Sequence, residues 1–228
     1  PQIVSGFSKK AINSSSNLFK IICYKTLITT MLEAELIKLF SNAWRYAHFS
    51  ISNQFYMICE NYNLNFSRVR KLMIDGYERN KNVPLAGFTA GPCLLKDTMQ
   101  LSAFMKKKFS LGHSAMSVNE GLPNFKVNKL IKNYNLKNMV AGILGLSFKA
   151  DIDDTRDSLS FKLYNLLKKK CKKVLISDEY FAHPSGIEKN NLIKKSNIVI
   201  IAVPHTAYKK LKFPKNKIIV DSWGIIKK

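Results

Sequence analysis

Apolar residues recur along this chain with two periods, and the period changes once. From Glu33 to about Asn61 no Gly or Pro breaks a spacing of three and four. Leu36, Leu39, Phe40, Ala43, Ala47, Ile51, Phe55 and Ile58 fall in register, which predicts one long helix with that stripe as its apolar face. Ahead of it, Ile3-Val4 reads as a strand, a Gly-Ser turn follows, Ala11–Tyr24 has helical spacing, and Leu27–Met31 is β-prone. Beyond it, a helix over Ser67–Ile74 ends at Asp75-Gly76, and residues 76–92 form a loop. A further helix is expected over 94–108. Another opens at Gly112-His113, is interrupted at Gly121-Leu122-Pro123 and resumes to Tyr134.

After Asn138 the pattern changes. Val140–Leu146 is an unbroken apolar run, followed by a helix over 156–171 and a strand Val174–Ser177 closed by Asp178-Glu179. A short helical piece at Asn191–Lys195 precedes strands Ile198–Val203 and Ile218–Val220. Unbroken apolar strands alternating with helices indicate a parallel sheet buried on both faces, so the fold class is α/β. Ligands of such sheets sit beyond the carboxyl ends of the strands, which here carry Ser147-Phe148-Lys149, Asp178, Pro204-His205 and Asp221-Ser222-Trp223. The division expected is 1–32, 33–137 and 138–228.

Composition narrows this picture. A chain of 228 residues with 46% hydrophobic content can build one large or two modest cores. No apolar run approaches the ~18 residues of a membrane span. The first residues show no basic region followed by an apolar core, so no signal peptide is expected; the missing initiator Met suggests a piece of something longer. Cys23, Cys59, Cys93 and Cys171 are too irregularly spaced for a metal motif or a disulfide framework, which fits a reducing, cytoplasmic setting. The net charge of +22 is spread along the chain, its lysine runs falling near helix ends, and no zinc-finger or RNA-binding aromatic signature accompanies it. A polyanionic small ligand such as a pyrophosphate suits that charge better than nucleic acid does.

The strongest chemistry lies in Gly91-Pro92-Cys93-Leu94-Leu95-Lys96-Asp97. Proline cannot continue a helix from upstream, so Cys93 is placed at a helix start, where free N–H groups and the helix dipole favour the thiolate. Lys96 adds a positive charge, and Asp97 follows one turn on. On the long helix, Lys38, Asn42 and Arg45 share one stripe. A small buried Cys and a solvated polar stripe are the plain alternatives for these two features.

Taken together, three stretches in order carry a resemblance. They are Glu33-Ala34-Glu35-Leu36-x-Lys38-Leu39-x-x-Asn42-Ala43, Gly91-Pro92-Cys93-x-x-Lys96-Asp97, and Gly145-x-x-Phe148-Lys149-x-Asp151-x-x-Asp154-x-Arg156-x-Ser158. The chain resembles the UDP-glucose / UDP-N-acetylmannosamine dehydrogenase family over nearly its whole length. That resemblance implies a long-helix dimerisation domain followed by a Rossmann-like parallel-sheet UDP-binding domain, with 1–32 the remnant of an NAD-binding domain. It implies NAD-dependent oxidation of a UDP-sugar C6 alcohol to the uronic acid, in two hydride transfers, for polysaccharide precursor synthesis. Cys93 would be the nucleophile that forms a thiohemiacetal and then a thioester. Lys38 would stabilise the alkoxide, Asn42 would partner substrate or water, and Asp97 would aid proton transfer and hydrolysis. Lys149, with Phe148 packed beside it, would contact the nucleotide-sugar, Arg156 would reach NAD, and Arg79 would reach the partner subunit's substrate in a homodimer built on the long helix. His113 and His205 are left as structural, and no metal is implied.

The chain also departs from that family. Ala90-Gly91-Pro92-Cys93 stands where many relatives have Gly-Gly-His-Cys or Gly-Gly-Ser-Cys, and Pro92 removes one backbone donor. No G-x-G-x-x-G occurs anywhere in the sequence. The chain alone is therefore expected not to transfer hydride, and a non-catalytic nucleotide-sugar binding and dimerisation module is the alternative reading.

Overall fold

The computed structural model describes residues 1–106 and 108–226. Of the basic run Lys106–Lys108, and of the helix expected over 94–108, Lys107 lies outside the described residues. The chain opens with a β–α–β unit: β1 (Gln2–Val4), α1 (Lys9–Phe19) and β2 (Thr26–Ile28), with β1 and β2 parallel. Ser8 caps α1 by accepting from the Ala11 N–H at 3.2 Å. The helix stops before the expected Tyr24, and Lys25 then pairs with Gln2 to start the strand ladder.

The long helix is α2 (Met31–Asn61), started by a reciprocal capping box between Thr30 and Glu33. Its buried face differs from the expected stripe. Leu39, Ala43, Tyr46, Ser50, Asn53 and Tyr56 turn inward, whereas Phe40, Ile51, Phe55 and Ile58 are exposed beside Ile37 and Trp44. Polar side chains on the inward face are why a hydrophobicity count chose the other one. Three shorter or later helices follow: α3 (Phe66–Ile74), α4 (Leu94–Phe104) and α5 (Ser110–Asn133). The last runs straight through Pro123, where the sequence predicted an interruption. Ala115, Leu122, Val127 and Leu130 of α5 are buried, and α5 packs against α2, α4 and α6. A mid-helix proline costs about 3 kcal/mol, which burial of four apolar side chains offsets.

The second half is a parallel sheet in the order β4-β3-β5-β6, formed by β3 (Val140–Leu144), β4 (Lys173–Ser177), β5 (Ile198–Ile201) and β6 (Ile218–Asp221). Helix α6 (Leu159–Lys168) connects β3 to β4, and α7 (Lys189–Lys195) connects β4 to β5. Strand β3 ends two residues before the expected Leu146, because Gly145 turns at φ +97° with Val203 packed where a Cβ would stand. Helix α6 starts at the Ser158 cap rather than at Arg156, leaving residues 147–157 as a loop. The chain leaves β3 in one direction for β4 and returns on the other side for β5, so the topological switch point lies between β3 and β5.

One core residue breaks the apolar rule. Lys126 of α5 is 3% exposed, its Nζ donates to the Tyr56 hydroxyl at 3.2 Å, and it lies over the Tyr56 and Phe88 rings. Burial pushes its pKa down to about 7, against the opposing pull of Glu60 and Asp221. Between about 7 and the unfolded value of 10.5 the unfolded chain holds the extra proton, so stability climbs as pH rises through that window. Lys126→Met is therefore expected to be more stable than the parent at neutral pH and to lose this climb. Urea midpoints across the window check it; a parent profile as flat as the variant's contradicts the buried amine.

Candidate active site

The segment Ala86–Gly91 is buried along its whole length although it belongs to no helix or strand. Its backbone needs partners, and the helices supply them. Asn53 of α2 accepts the Gly87 N–H at 2.8 Å and donates to Asn119 of α5 at 2.9 Å, and Asn119 donates to the Tyr46 carbonyl at 3.0 Å. Just upstream, Ser52 and Arg70 donate to the Pro84 carbonyl. From the other side two aromatic rings close on the glycines. A Cβ on Gly87 would stand 2.2 Å from the Trp223 ring, and one on Gly91 would stand 2.6 Å from the Phe148 ring. Gly91 also holds φ at +112°.

This clamped segment delivers Cys93 to the N-cap of α4, with its side chain exposed. The Asp97 N–H donates to the Cys93 carbonyl at 2.9 Å, so thiol and carboxylate share the helix's first turn. The Asp97 carboxylate is 1% exposed. Its Oδ2 accepts from Lys38 Nζ at 2.9 Å and Asn42 Nδ2 at 2.6 Å, while Lys96 stands 3.7 Å from Oδ1. Burial opposes ionisation, but the hydrogen bonds from Lys38 and Asn42 and the charges of Lys38 and Lys96 hold its pKa below the ordinary value. Lys38 is raised in turn, by its hydrogen bond and ion pair with Asp97 and further by Cys93. Oδ1 of Asp97 has no hydrogen-bond partner among the described residues.

Beside this centre lies a cavity of about 410 Å³. Asn42, Arg45 and Phe49 of α2 form one wall, and Phe88 to Leu94 form the floor. Phe148, Lys149 and Ala150 after β3, Val203 and Pro204 after β5, and Trp223 after β6 form the opposite wall. The cavity thus opens at the switch point of the sheet, as the strand ends suggested. Of the residues singled out in the sequence, Asn42, Cys93, Phe148 and Lys149 line it, and Lys38 and Asp97 join it through Asn42. Arg156 is 73% exposed, held by Asp154 through Nε and Nη2, and its charge is reinforced by that of Cys93. Arg79 sits exposed on the turn Glu78–Asn80 and does not line the cavity. His113 shares a hydrogen bond with Ser102. The strand end expected at Asp221-Ser222-Trp223 does reach the cavity through Trp223, whereas sequence reasoning missed the cavity roles of Phe49 and Thr89 and the Asn53–Asn119 support. Thr89 Oγ1 is buried in the floor without a hydrogen-bond partner among the described residues. None of these carries a charge or sits in a motif that would have marked it.

Two family models match the chain: the central domain of the UDP-glucose/GDP-mannose dehydrogenase family over residues 32–121, and the UDP binding domain of the same family over 142–228. The chain is 28% identical to a UDP-N-acetyl-D-mannosamine dehydrogenase of Pyrococcus horikoshii, across 99% of this chain and 56% of that protein. It is 23% identical to an NDP-N-acetyl-D-galactosaminuronic acid dehydrogenase of Ralstonia nicotianae, across 98% of this chain and 56% of that protein. The solved structure of a UDP-D-ManNAc dehydrogenase from Pyrococcus horikoshii matches with a TM-score of 0.87 at 26% identity, over 99% of this chain and 56% of that one. A UDP-glucose dehydrogenase from Pyrobaculum islandicum shares the fold at TM-score 0.85 and 23% identity, over 99% of this chain and 56% of that one. The chain therefore spans little more than half the length of these relatives.

The clamp on Gly91 is open to a direct test. Gly91→Ala is expected to lose about 2–4 kcal/mol of stability, from strain at positive φ and overlap with Phe148. Adding Phe148→Ala relieves the overlap, so the double variant should show a favourable coupling in urea unfolding. Strictly additive losses would mean that the ring and the glycine do not meet.

Proposed function

The chain belongs to the UDP-glucose/GDP-mannose dehydrogenase family, and we propose that it carries the substrate-binding and thiol-bearing part of an NAD-dependent nucleotide-sugar 6-dehydrogenase. One observation carries this reading: a single cavity joins Cys93 and Asn42 of the helical layer to Phe148 and Lys149 at the switch point of the sheet. Its lining is largely apolar and aromatic with few polar groups, as ligand sites commonly are. The same proposal takes 1–32 as part of a cofactor domain, 33–137 as the catalytic and dimerising domain, and 138–228 as the UDP-sugar domain.

In this reading the Lys149 ammonium pairs with the diphosphate of a UDP-sugar, and the sugar C6 lies at Cys93. NAD, when bound, accepts the hydride lost in each of the two oxidations. This chain's contribution to holding it is Arg156, an exposed cation whose charge reaches Cys93 and whose donors suit a pyrophosphate. The first oxidation converts the C6 alcohol to an aldehyde, C6 losing a hydride and the hydroxyl its proton, which passes to solvent. The Cys93 thiolate then adds to the aldehyde carbon, and the charge moves to the C6 oxygen. Lys38 and Asn42 each donate one hydrogen bond to Asp97 and keep their other N–H groups for that oxyanion. Loss of the second hydride leaves a thioester. Water adds to it, losing a proton that the exposed Lys38 and the Asp97 carboxylate bonded to it draw off, and the C–S bond breaks to give the carboxylate and free Cys93. The product is a UDP-uronic acid, suited to polysaccharide precursor synthesis, and the thiol chemistry suits the reducing cytoplasm.

The exposed apolar face of α2, with Ile37, Phe40, Trp44, Ile51, Phe55 and Ile58, is the surface we assign to a homodimer. Arg79 would then serve the partner's cavity rather than its own.

Calorimetry with UDP-glucose and UDP-N-acetylmannosamine tests the site. Micromolar binding of at least one is expected, weakened about tenfold or more by Lys149→Ala, as befits loss of a charged hydrogen-bonding contact. Binding of neither, or equal binding by the variant, would remove the reading. The dimer is tested by sedimentation: Trp44→Glu combined with Ile51→Glu should yield monomers from a dimeric parent, and a monomeric parent at micromolar concentration would refute the assignment.

A further inference from the structure

His205 stands immediately after Pro204, outside the catalytic cluster, with its ring 0% exposed. It is packed between Tyr180 and Tyr208, with ring centroids 5.0 and 5.1 Å away. The Asp151 N–H donates to its Nδ1 at 2.9 Å, which leaves the ring proton on Nε2. That Nε2 faces Asp178 Oδ2 at 3.1 Å and Ser147 Oγ at 3.3 Å.

Asp178 does not depend on the imidazole for satisfaction. Its carboxylate accepts the backbone N–H groups of Leu146, Ser147, Tyr180 and Phe181. The group that does depend on His205 is the Asp151 amide, at a residue in the left-handed region (φ +59°). The Asp151 carboxylate reinforces the same junction from the other end, accepting from the Thr206 N–H at 2.8 Å, the Thr206 hydroxyl at 2.6 Å and the Tyr180 hydroxyl at 3.2 Å. The loop after β3 is thereby clasped to the loop after β5. Both loops line the cavity, through Phe148, Lys149 and Ala150 on one side and Val203 and Pro204 on the other. Within the first loop, the Phe148 N–H donates to the Asp154 carbonyl and the Ser147 hydroxyl donates to the Lys149 carbonyl, so a shift at Asp151 is passed to both cavity residues.

We propose that His205 is a positioning residue: by accepting the Asp151 amide proton at Nδ1 it fixes the loop 147–154 across the switch point and so sets where Phe148 and Lys149 stand in the cavity. The functional part of this rests on the reading of that cavity as a nucleotide-sugar site. An asparagine at 205 places its carbonyl where Nδ1 was and keeps the acceptor for Asp151. A glutamine reaches the Nε2 place, keeps a donor for Asp178 and leaves the Asp151 amide unmet. The acceptor, and not burial of a polar group as such, separates the two variants.

The test compares parent, His205→Asn and His205→Gln by thermal unfolding, by calorimetry with UDP-glucose and UDP-N-acetylmannosamine, and by amide hydrogen exchange over 148–154. Glutamine is expected to weaken binding by about tenfold or more and to speed exchange in the loop. Asparagine should stay within about threefold of the parent in affinity, even where it melts as early as the glutamine variant. Two variants weakened alike, in step with lost stability, would reduce His205 to a packing residue and overturn the proposal, as would a glutamine variant that binds like the parent. If the parent binds neither sugar nucleotide, the cavity reading fails on its own account. Exchange then decides the clasp: faster loop amides in the glutamine variant than in the asparagine variant uphold it, and equal rates overturn it.

Discussion

A buried backbone with no ladder of its own is the constraint on which this structure depends. The segment Ala86–Gly91 lies inside the protein between the helices and the sheet, where an unpaired N–H or carbonyl costs about as much as a lost hydrogen bond. The helices answer with buried asparagines rather than with more leucine. Asn53 holds the Gly87 amide, and Asn119 holds Asn53. The sheet answers with two aromatic rings that fit only over residues lacking a Cβ. The start of α4 is therefore located from both sides at once, and Cys93 is located with it.

Charge is arranged around that fixed point. Asp97 is almost inaccessible to water, which would favour its neutral form, yet two donors converge on one of its oxygens and a second cation, Lys96, stands near the other. Lys38 is 63% exposed, so its attraction to Asp97 is partly screened by solvent, and its value lies in placement more than in stability. Lys38 is raised chiefly by its hydrogen bond with Asp97, and Arg156 by its hydrogen bond with Asp154, with Cys93 adding a smaller contribution to each. An excess of basic residues over the whole chain supplies a positive background that would attract the diphosphate of the proposed substrate from a distance.

The sequence disclosed the parts of this design that are repetitive or chemically loud. Unbroken apolar strands announced the parallel sheet, a Pro before Cys93 announced the helix start, and Lys38 and Asn42 one turn apart announced a shared face. The structure brings those side chains together with Asp97, which no periodicity could require. What stayed hidden was set by tertiary contact. Gly145 ends β3 early because Val203 occupies its Cβ space. Pro123 fails to interrupt α5 because that helix is gripped by neighbours on several sides. The inward face of α2 contains Ser50, Asn53 and Tyr56, so a reading by hydrophobicity held for Leu39 and Ala43 but drifted onto an exposed face at Phe40, Ile51, Phe55 and Ile58. No motif marks Lys126 in the sequence, and only the packing of Tyr56 and Phe88 around it makes it a buried amine.

The two halves of the cavity do different work, and the fold explains why they must be registered to each other. Helices place the thiol, the carboxylate and the ammonium, while the switch point of the sheet places the cationic and aromatic wall. In the proposed reaction at one sugar carbon, the bound end of the ligand would have to be held to a fraction of an ångström relative to Cys93, because a misplacement of about 1 Å can cost a hundredfold in rate. Phe148 makes that registration direct. It precedes Lys149 in the chain, it lines the cavity, and its ring closes on Gly91 two residues before the nucleophile. Any movement of the binding loop is therefore a movement of the ring against the segment that carries Cys93. In the proposed enzyme, binding and chemistry would be coupled through this one glycine–aromatic contact.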